Sequence, residues 1–179
     1  MSVAPALRAL RVNAIELLRQ PGASRDVEVV LGDAAQAELE LTDPRIAGEI
    51  TVDVRATSSL DGIAVHGEVR VPWAGECRRC LVAVSGVAVA DVDELYVTGE
   101  SLREDALPIE GDQLDLAPLA REYALLELPE APLCRADCAG ICPVCGIDRN
   151  NASCDCDTSV RDERWGALDQ LRLDEPGDT

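Results

Sequence analysis

The middle of the chain alternates apolar and polar residues with the period of a strand. Ile50, Val52, Val54 and Ala56 are interleaved with Thr51, Asp53 and Arg55, which predicts a half-buried strand with one wet face. Asp61-Gly62 then offers a tight hairpin turn. Beyond it Ile63, Val65, Val69 and Val71 share one face of a returning strand, and His66, Glu68 and Arg70 share the other. Pro72 is expected to end that strand, because it has no N–H to give to a ladder. Val82, Val84, Val87 and Val89 continue the apolar pattern, with a slip of phase at Ser85-Gly86 that predicts a bulge or kink. Residues 7–12, 27–31 and 37–41 read as shorter strands, and residues 99–113 as an acidic loop.

Helix signals flank this sheet. Asn13-Ala14-Ile15-Glu16 has the spacing of a capping box, so a short helix through Leu17 and Leu18 is expected before the breaker pair Pro21-Gly22. At Asp115 the period lengthens. Asp115 is suited to an N-cap and Pro118 to a first turn, and Leu116, Leu119, Ala120, Tyr123 and Leu126 or Leu128 follow at helical spacing until Pro129 and Pro132. A last helix is expected over 160–173, striped by Trp165, Leu168 and Leu171. The predicted class is α+β: an antiparallel sheet or partial β-barrel with a few short helices and a C-terminal Cys-rich zinc-binding segment. Residues 1–128 form the body, with helices near both of its ends. Residues 129–179 form the Cys-rich segment and a terminal helix packed on the body.

Eight cysteines change the picture from fold to chemistry. Cys77 and Cys80 form one C-x2-C pair, and Cys134, Cys138, Cys142, Cys145, Cys154 and Cys156 crowd into the segment that is richest in breakers. The first twenty residues are broken by Arg8, Arg11, Asn13, Glu16 and Arg19, so they lack the apolar core of a signal peptide. The chain therefore reads as cytoplasmic, where thiols stay reduced and C-x2-C pairs more often hold zinc than bridge. A segment so polar has no core of its own, and a structural metal supplies the missing cross-link. Eight thiols match two four-thiolate zinc ions. In one scheme Cys142 and Cys145 close with Cys154 and Cys156, while Cys77 and Cys80 recruit Cys134 and Cys138. In another the two C-x2-C turns pair with each other. The first is favoured because its local site closes a short loop; a single occupied ion with spare thiols is the third arrangement. Iron–sulfur clusters also use four cysteines, and the colour of the purified protein separates them from zinc. A redox motif would sit at a helix N-terminus, whereas Cys77 follows a strand.

Composition and charge remove further classes. Hydrophobic residues make up 47% of the chain but aromatics only 2%, so the core must be built from Val, Leu, Ile and Ala. Lysine is absent and the net charge is -18, which argues against broad electrostatic binding to nucleic acid or an anionic membrane. It permits a basic protein partner, or a local basic patch such as Arg78-Arg79 as an RNA contact. His66 is the one histidine, placed on a polar strand face, and no nucleophile elbow, phosphate loop or dinucleotide fingerprint is present. Closed four-thiolate sites leave no position for substrate. The residues thus point to a non-enzymatic protein with no small-molecule substrate, against a thiol redox or zinc-handling protein as the alternative and an RNA-processing enzyme as a remoter one.

The order of motifs is specific. Gly75-Glu76-Cys77-Arg78-Arg79-Cys80-Leu81 is followed by Asp93-Glu94-Leu95-Tyr96 and by Glu110-Gly111-Asp112-Gln113-Leu114-Asp115-Leu116. Leu126-Glu127-Leu128-Pro129, Gly140-Ile141-Cys142-Pro143-Val144-Cys145-Gly146 and Arg164-Trp165 complete it. Together these resemble the YceD family of large ribosomal RNA subunit accumulation proteins, in its cysteine-rich actinobacterial form. The resemblance implies a non-enzymatic role in large-subunit ribosome biogenesis and 23S rRNA accumulation. Its implied partners are a large-subunit precursor, through rRNA or a basic ribosomal protein.

Overall fold

The computed structural model describes residues 5–99 and 106–158, together with Arg164 and Gly166. The helix expected over 160–173 falls, those two positions apart, outside the described residues. The described chain is α+β, with elements in the order α1 (Pro5–Ala9), β1 (Arg11–Asn13), α2 (Ala14–Leu18), β2 (Ser24–Leu31), α3 (Asp33–Glu38), β3 (Ile50–Ser58), β4 (Ile63–Glu76), β5 (Ala83–Val97), β6 (Leu107–Pro108), β7 (Gln113–Asp115) and α4 (Ala117–Leu126). The main sheet has the open order β2-β3-β4-β5-β6 and is antiparallel except for the β5–β6 pair; β1 and β7 form a second, two-stranded sheet. Among the described residues no helix is long and apolar enough to cross a membrane.

One face of the main sheet carries the core. Val52 and Val69 are cross-strand partners and both fully buried, as are Ile50, Ala56, Val65 and Val71. Each such side chain contributes about 1.5–3 kcal/mol by leaving water. The short elements at the N-terminus and α4 cover this face, with Leu10, Leu114, Leu116 and Ala120 fully buried. Asn13 caps α2 as its spacing predicts: its Oδ1 accepts the Glu16 N–H at 3.1 Å. Asp115 acts from just outside α4, its Oδ1 accepting the Ala117 N–H at 2.9 Å.

Four expectations need correction. Residues 37–41 are not a strand. The Ala-rich run after Gly32 forms α3, with Asp33 in its first turn and buried Gln36 donating to Leu31 O and Gly48 O at 2.7 and 2.9 Å. Residues 7–12 begin in α1, and only Arg11–Asn13 is strand. Pro72 does not end β4. The Ala47 N–H bonds Pro72 O and the Ala74 N–H bonds Arg45 O, both at 2.9 Å, so the missing donor of Pro72 faces the 45–47 segment, and the β4–β5 ladder is untouched. Finally, the register of β4 and β5 runs without a bulge from Ile63↔Tyr96 to Glu76↔Ala83. The change of pattern at Gly86 has another cause. The Trp73 ring lies over it, and a Cβ there would stand 3.2 Å from three ring atoms. With the register unbroken, Ala88, Ala90 and Val92 face the core, while Val87 and Val89 face water at 58% and 41% exposure.

The β4–β5 hairpin outreaches β3. Pairing with β3 stops at Thr51↔Arg70, yet β4 continues to Glu76. Irregular chain covers the far end of β4: the Ile46↔Trp73 bridge, then Pro132 against Gly75. Arg45 fastens this seam, bonding Asp43 and donating from Nη1 to Pro129 O at 3.1 Å.

Gly67 marks a close contact between β3 and β4. Its φ is +152°, and an added Cβ would meet Asp53 O at 2.2 Å and the Val54 Cα at 2.6 Å. Neither neighbour can move without breaking the β3–β4 ladder. Gly67→Ala is expected to destabilise the protein by about 2–4 kcal/mol, read as a lower urea midpoint with an unchanged m-value.

Candidate metal centres

The tip of the β4–β5 hairpin is a C-x2-C turn. The Cys77 N–H bonds Val82 O at 2.8 Å and the Leu81 N–H bonds Cys77 O at 2.9 Å. The second C-x2-C repeats this bond for bond: the Cys142 N–H bonds Ile147 O at 2.8 Å and the Gly146 N–H bonds Cys142 O at 2.9 Å. Both turns place the residue after the second cysteine in the left-handed region. Gly146 has φ +73°, but at the hairpin tip the residue is Leu81, at φ +61°, a conformation that costs a side chain roughly 1–2 kcal/mol.

The chain returning from α4 completes the first site. The Arg78 N–H bonds Pro132 O at 2.9 Å, which sets Cys134 and Cys138 against the tip. The sulfurs of Cys77, Cys80, Cys134 and Cys138 lie within 4.8 Å of one another, and so do those of Cys142, Cys145, Cys154 and Cys156. Cys77 and Cys138 are 3.8 Å apart, and Cys80 and Cys134 3.6 Å. A tetrahedral ion with metal–sulfur arms near 2.3 Å needs sulfurs about 3.8 Å apart, whereas a disulfide needs about 2.05 Å. All eight cysteines are free thiols. The structure therefore brings together two tetrads that could hold metal ions, in the first of the groupings considered above. Four soft sulfurs in this array suit zinc or an iron–sulfur cluster rather than a hard cation.

The backbone prepares the sulfurs for charge. The N–H of Cys134, then those of Cys80 and Arg79, converge on Cys77 and lower its pKa to about 6. Those of Cys145 and Val144 lower Cys142 to about 6. Partial loss of hydration beside the other sulfurs, with hydrogen bonds to Cys138, Cys80 and Cys77, pushes the exposed Cys134 up to about 12. Hydrogen bonding to Cys145, with burial, does the same for Cys156. Within each tetrad the backbone thus favours charge on one sulfur, and a dication held by four thiolates would displace the remaining protons.

The two tetrads are joined by a residue that the spacing of cysteines does not reveal. Asn150, in the loop between Cys145 and Cys154, donates from Nδ2 to Cys138 Sγ at 3.4 Å and to Asp148 Oδ1 at 2.7 Å. Its Oδ1 accepts from the Ala139 N–H at 2.8 Å and Arg135 Nη2 at 2.7 Å. A second tie runs through the backbone, where the Ile141 N–H bonds Arg79 O at 3.0 Å and the Arg149 N–H bonds Gly140 O at 2.9 Å. The readable signal was Asp148-Arg149-Asn150-Asn151, a run suited to a side-chain-bonded turn. Arg79 faces inward to this junction, donating from Nη1 to Cys138 O at 2.9 Å. Arg78 is exposed and has no side-chain partner among the described residues. His66 lies apart from both tetrads, its Nδ1 3.1 Å from Asp93 Oδ1 on the outer face of the sheet.

An open, mainly antiparallel sheet whose longest hairpin carries a thiolate tetrad at its tip defines the class of protein. A family model described as large ribosomal RNA subunit accumulation protein YceD matches residues 65–172, a stretch that takes in both tetrads. The uncharacterized proteins Mb2951c of Mycobacterium bovis and Rv2926c of Mycobacterium tuberculosis are each 33% identical over 144 residues, covering 77% of this chain and 70% of theirs. ML1660 of Mycobacterium leprae, also uncharacterized, is 33% identical over 72% of this chain and 62% of its own. No solved structure matches. The chain belongs to the YceD family.

Outer partners of a ligand typically change metal affinity by about 10–100-fold. Asn150→Ala is expected to weaken cobalt(II) binding at the tetrad containing Cys138 about tenfold, read as a shift in one phase of the thiolate-to-metal absorbance titration.

Proposed function

We propose that this protein is a non-catalytic, cytoplasmic factor for large-subunit ribosome biogenesis that receives a basic ribosomal protein on its sheet. Family membership supports a role in large ribosomal RNA subunit accumulation. The proposed organisation is a body of residues 1–128 with a Cys-rich segment, 129–179, stapled to it by one structural zinc ion and shaped by a second. Cys77, Cys80, Cys134 and Cys138 would hold one ion, and Cys142, Cys145, Cys154 and Cys156 the other. Bound zinc would supply a fixed cross-link, and with four sulfurs around each ion no position is left for a substrate.

The observation that carries the partner class is a row of carboxylates. Glu28 pairs with Asp53, Asp53 with Glu68, and Glu68 with Asp91, straight across four strands. Like charges directly opposite each other destabilise a sheet. Arg70 relieves only Glu68; Glu28, Asp53 and Asp91 make no ion pair among the described residues. The neighbouring row, by contrast, pairs Asp26 with Arg55 and sets His66 beside Asp93. Between the rows lies a shallow hollow of about 480 Å³. A cationic surface would relieve this repulsion where polyanionic RNA would add to it.

A zinc-handling protein is the second reading, favoured by the exposure of Cys145 and Cys134. Rapid transfer of zinc to a chelator under native conditions would support it over a structural role.

The test is affinity capture from growing cells, with mass spectrometry and RNA sequencing. Wild-type protein is expected to carry two zinc ions and enrich a basic large-subunit protein, and the double variant Asp53→Arg, Asp91→Arg to lose that enrichment at least about tenfold. Unchanged capture would refute the acidic-face reading. Arg78→Ser isolates the RNA-contact role better than a change at Arg79, which also loosens the tetrad. Loss of co-eluting RNA in Arg78→Ser would support that contact, and unchanged RNA would sink it.

A further inference from the structure

Among the described residues, no strand pairs with the outer edge of β5 before β6. Cys77 bonds Val82, while Pro72 and Ala74 turn to the 45–47 segment, so the odd residues of β4 face β5. Their partners on β5 are the even residues. Ala83, Ser85, Val87, Val89, Asp91, Asp93 and Leu95 therefore aim their N–H and C=O groups away from the sheet. The same parity shows at Val97, whose carbonyl accepts the Ile109 N–H at 2.8 Å where β6 begins. From Ala83 to Asp91 no backbone group of the described residues meets this edge, and at Asp93 the N–H is met by the Tyr123 hydroxyl of α4.

Natural sheets blunt such edges with proline, lysine, bulges or shortness. This stretch has no proline, no basic residue and an unbroken register, and it exposes Val87 and Val89. The opposite edge, β2, is eight residues long and carries Arg25, Asp26 and Glu28. The far side of β4 is covered by residues 45–47 and Pro132. Among the described residues, β5 is the longer and more regular of the two edges, with two adjacent outward valines against the one exposed valine, Val30, of β2.

We propose that this edge binds an extended segment of a basic protein as an added strand. The side chains beside the edge say what that segment carries. Val87 and Val89 are followed on the same face by Asp91 and Asp93, with Glu68 opposite Asp91. An added antiparallel strand would set two apolar residues over the valines and two cationic ones over the aspartates, its main chain supplying the bonds. A second copy of this chain is a poorer occupant, because each copy carries a net charge of -18. The inference deepens the proposed capture of a basic partner and rests on that reading.

The probe is the peptide Arg-Thr-Arg-Thr-Val-Thr-Val, with a control in which Glu replaces Arg, added to the full-length protein. Amide exchange is followed residue by residue by NMR. In the free protein the N–H groups of Ser85, Val87, Val89 and Asp91 should exchange quickly while those of Gly86, Ala88 and Ala90 are protected. The basic peptide should protect the first set and the acidic control should not. Val89→Pro, which removes only an outward donor, should weaken binding at least tenfold. Val89→Lys keeps every backbone group and should do so by repulsion if the proline variant fails to fold. Outward amides already protected in the free protein would overturn the proposal, as would equal binding of both peptides or protection that rises with protein concentration alone. If the basic peptide binds but protects no edge amide, the edge is refuted and the acidic-face reading stands. If it does not bind, both fall.

Discussion

The arrangement depends on the meeting of four sulfurs at the hairpin tip. Cys77 and Cys138 are 61 positions apart, and Cys80 and Cys134 are 54. Joining them closes a long loop at an entropic cost. The segment they secure has little apolar surface to offset that cost: past Leu128, the buried apolar side chains among the described residues are those of Cys138 and Cys142. The seam from Arg45 to Pro129 and from Arg78 to Pro132 guides the chain along β4, but a few hydrogen bonds, each worth about 1 kcal/mol net, do not replace a core. An ion shared by the four sulfurs would give the segment one position.

The long hairpin separates two kinds of surface. Glu68, in the carboxylate row, and Cys77, in the tetrad, lie on one strand, and nine residues of extended chain span on the order of 30 Å. Acidic repulsion and thiolate clustering therefore scarcely influence each other electrostatically at cellular salt, where the Debye length is about 8 Å. Each end of the arm keeps its own chemistry. The junction at Asn150 works differently, because a residue of the loop between Cys145 and Cys154 reaches Cys138 Sγ of the other tetrad at hydrogen-bond distance.

Much of this was legible in the chain. The alternation from Ile50 to Ala56 and again from Ile63 gave the central strands, because one buried and one wet face impose a period of two. The cysteine steps gave both turns and favoured, among three arrangements, the grouping in which the local tetrad closes a short loop. What failed to show depends on neighbours remote in sequence. Residues 37–41 alternate like a strand, but 37 and 38 belong to α3, whose Gln36 is held by the carbonyls of Leu31 and Gly48. Pro72 is tolerated only because its missing donor faces an irregular segment. Gly86 is room for a tryptophan rather than a bulge. The carboxylate row is scattered in the sequence and becomes a row only through register, and Asn150 is one polar loop residue among several until Cys138 lies beside it.

The long span between the halves of the first tetrad has a consequence for biosynthesis. A chain emerges from its N-terminus onward, so Cys77 and Cys80 are exposed to the cell while Cys134 is still to be translated. During that interval the tip presents two sulfurs of the four, too few to enclose an ion as the finished tetrad could. Closure of this cluster is therefore a late event, timed by the translation of Cys134 and Cys138.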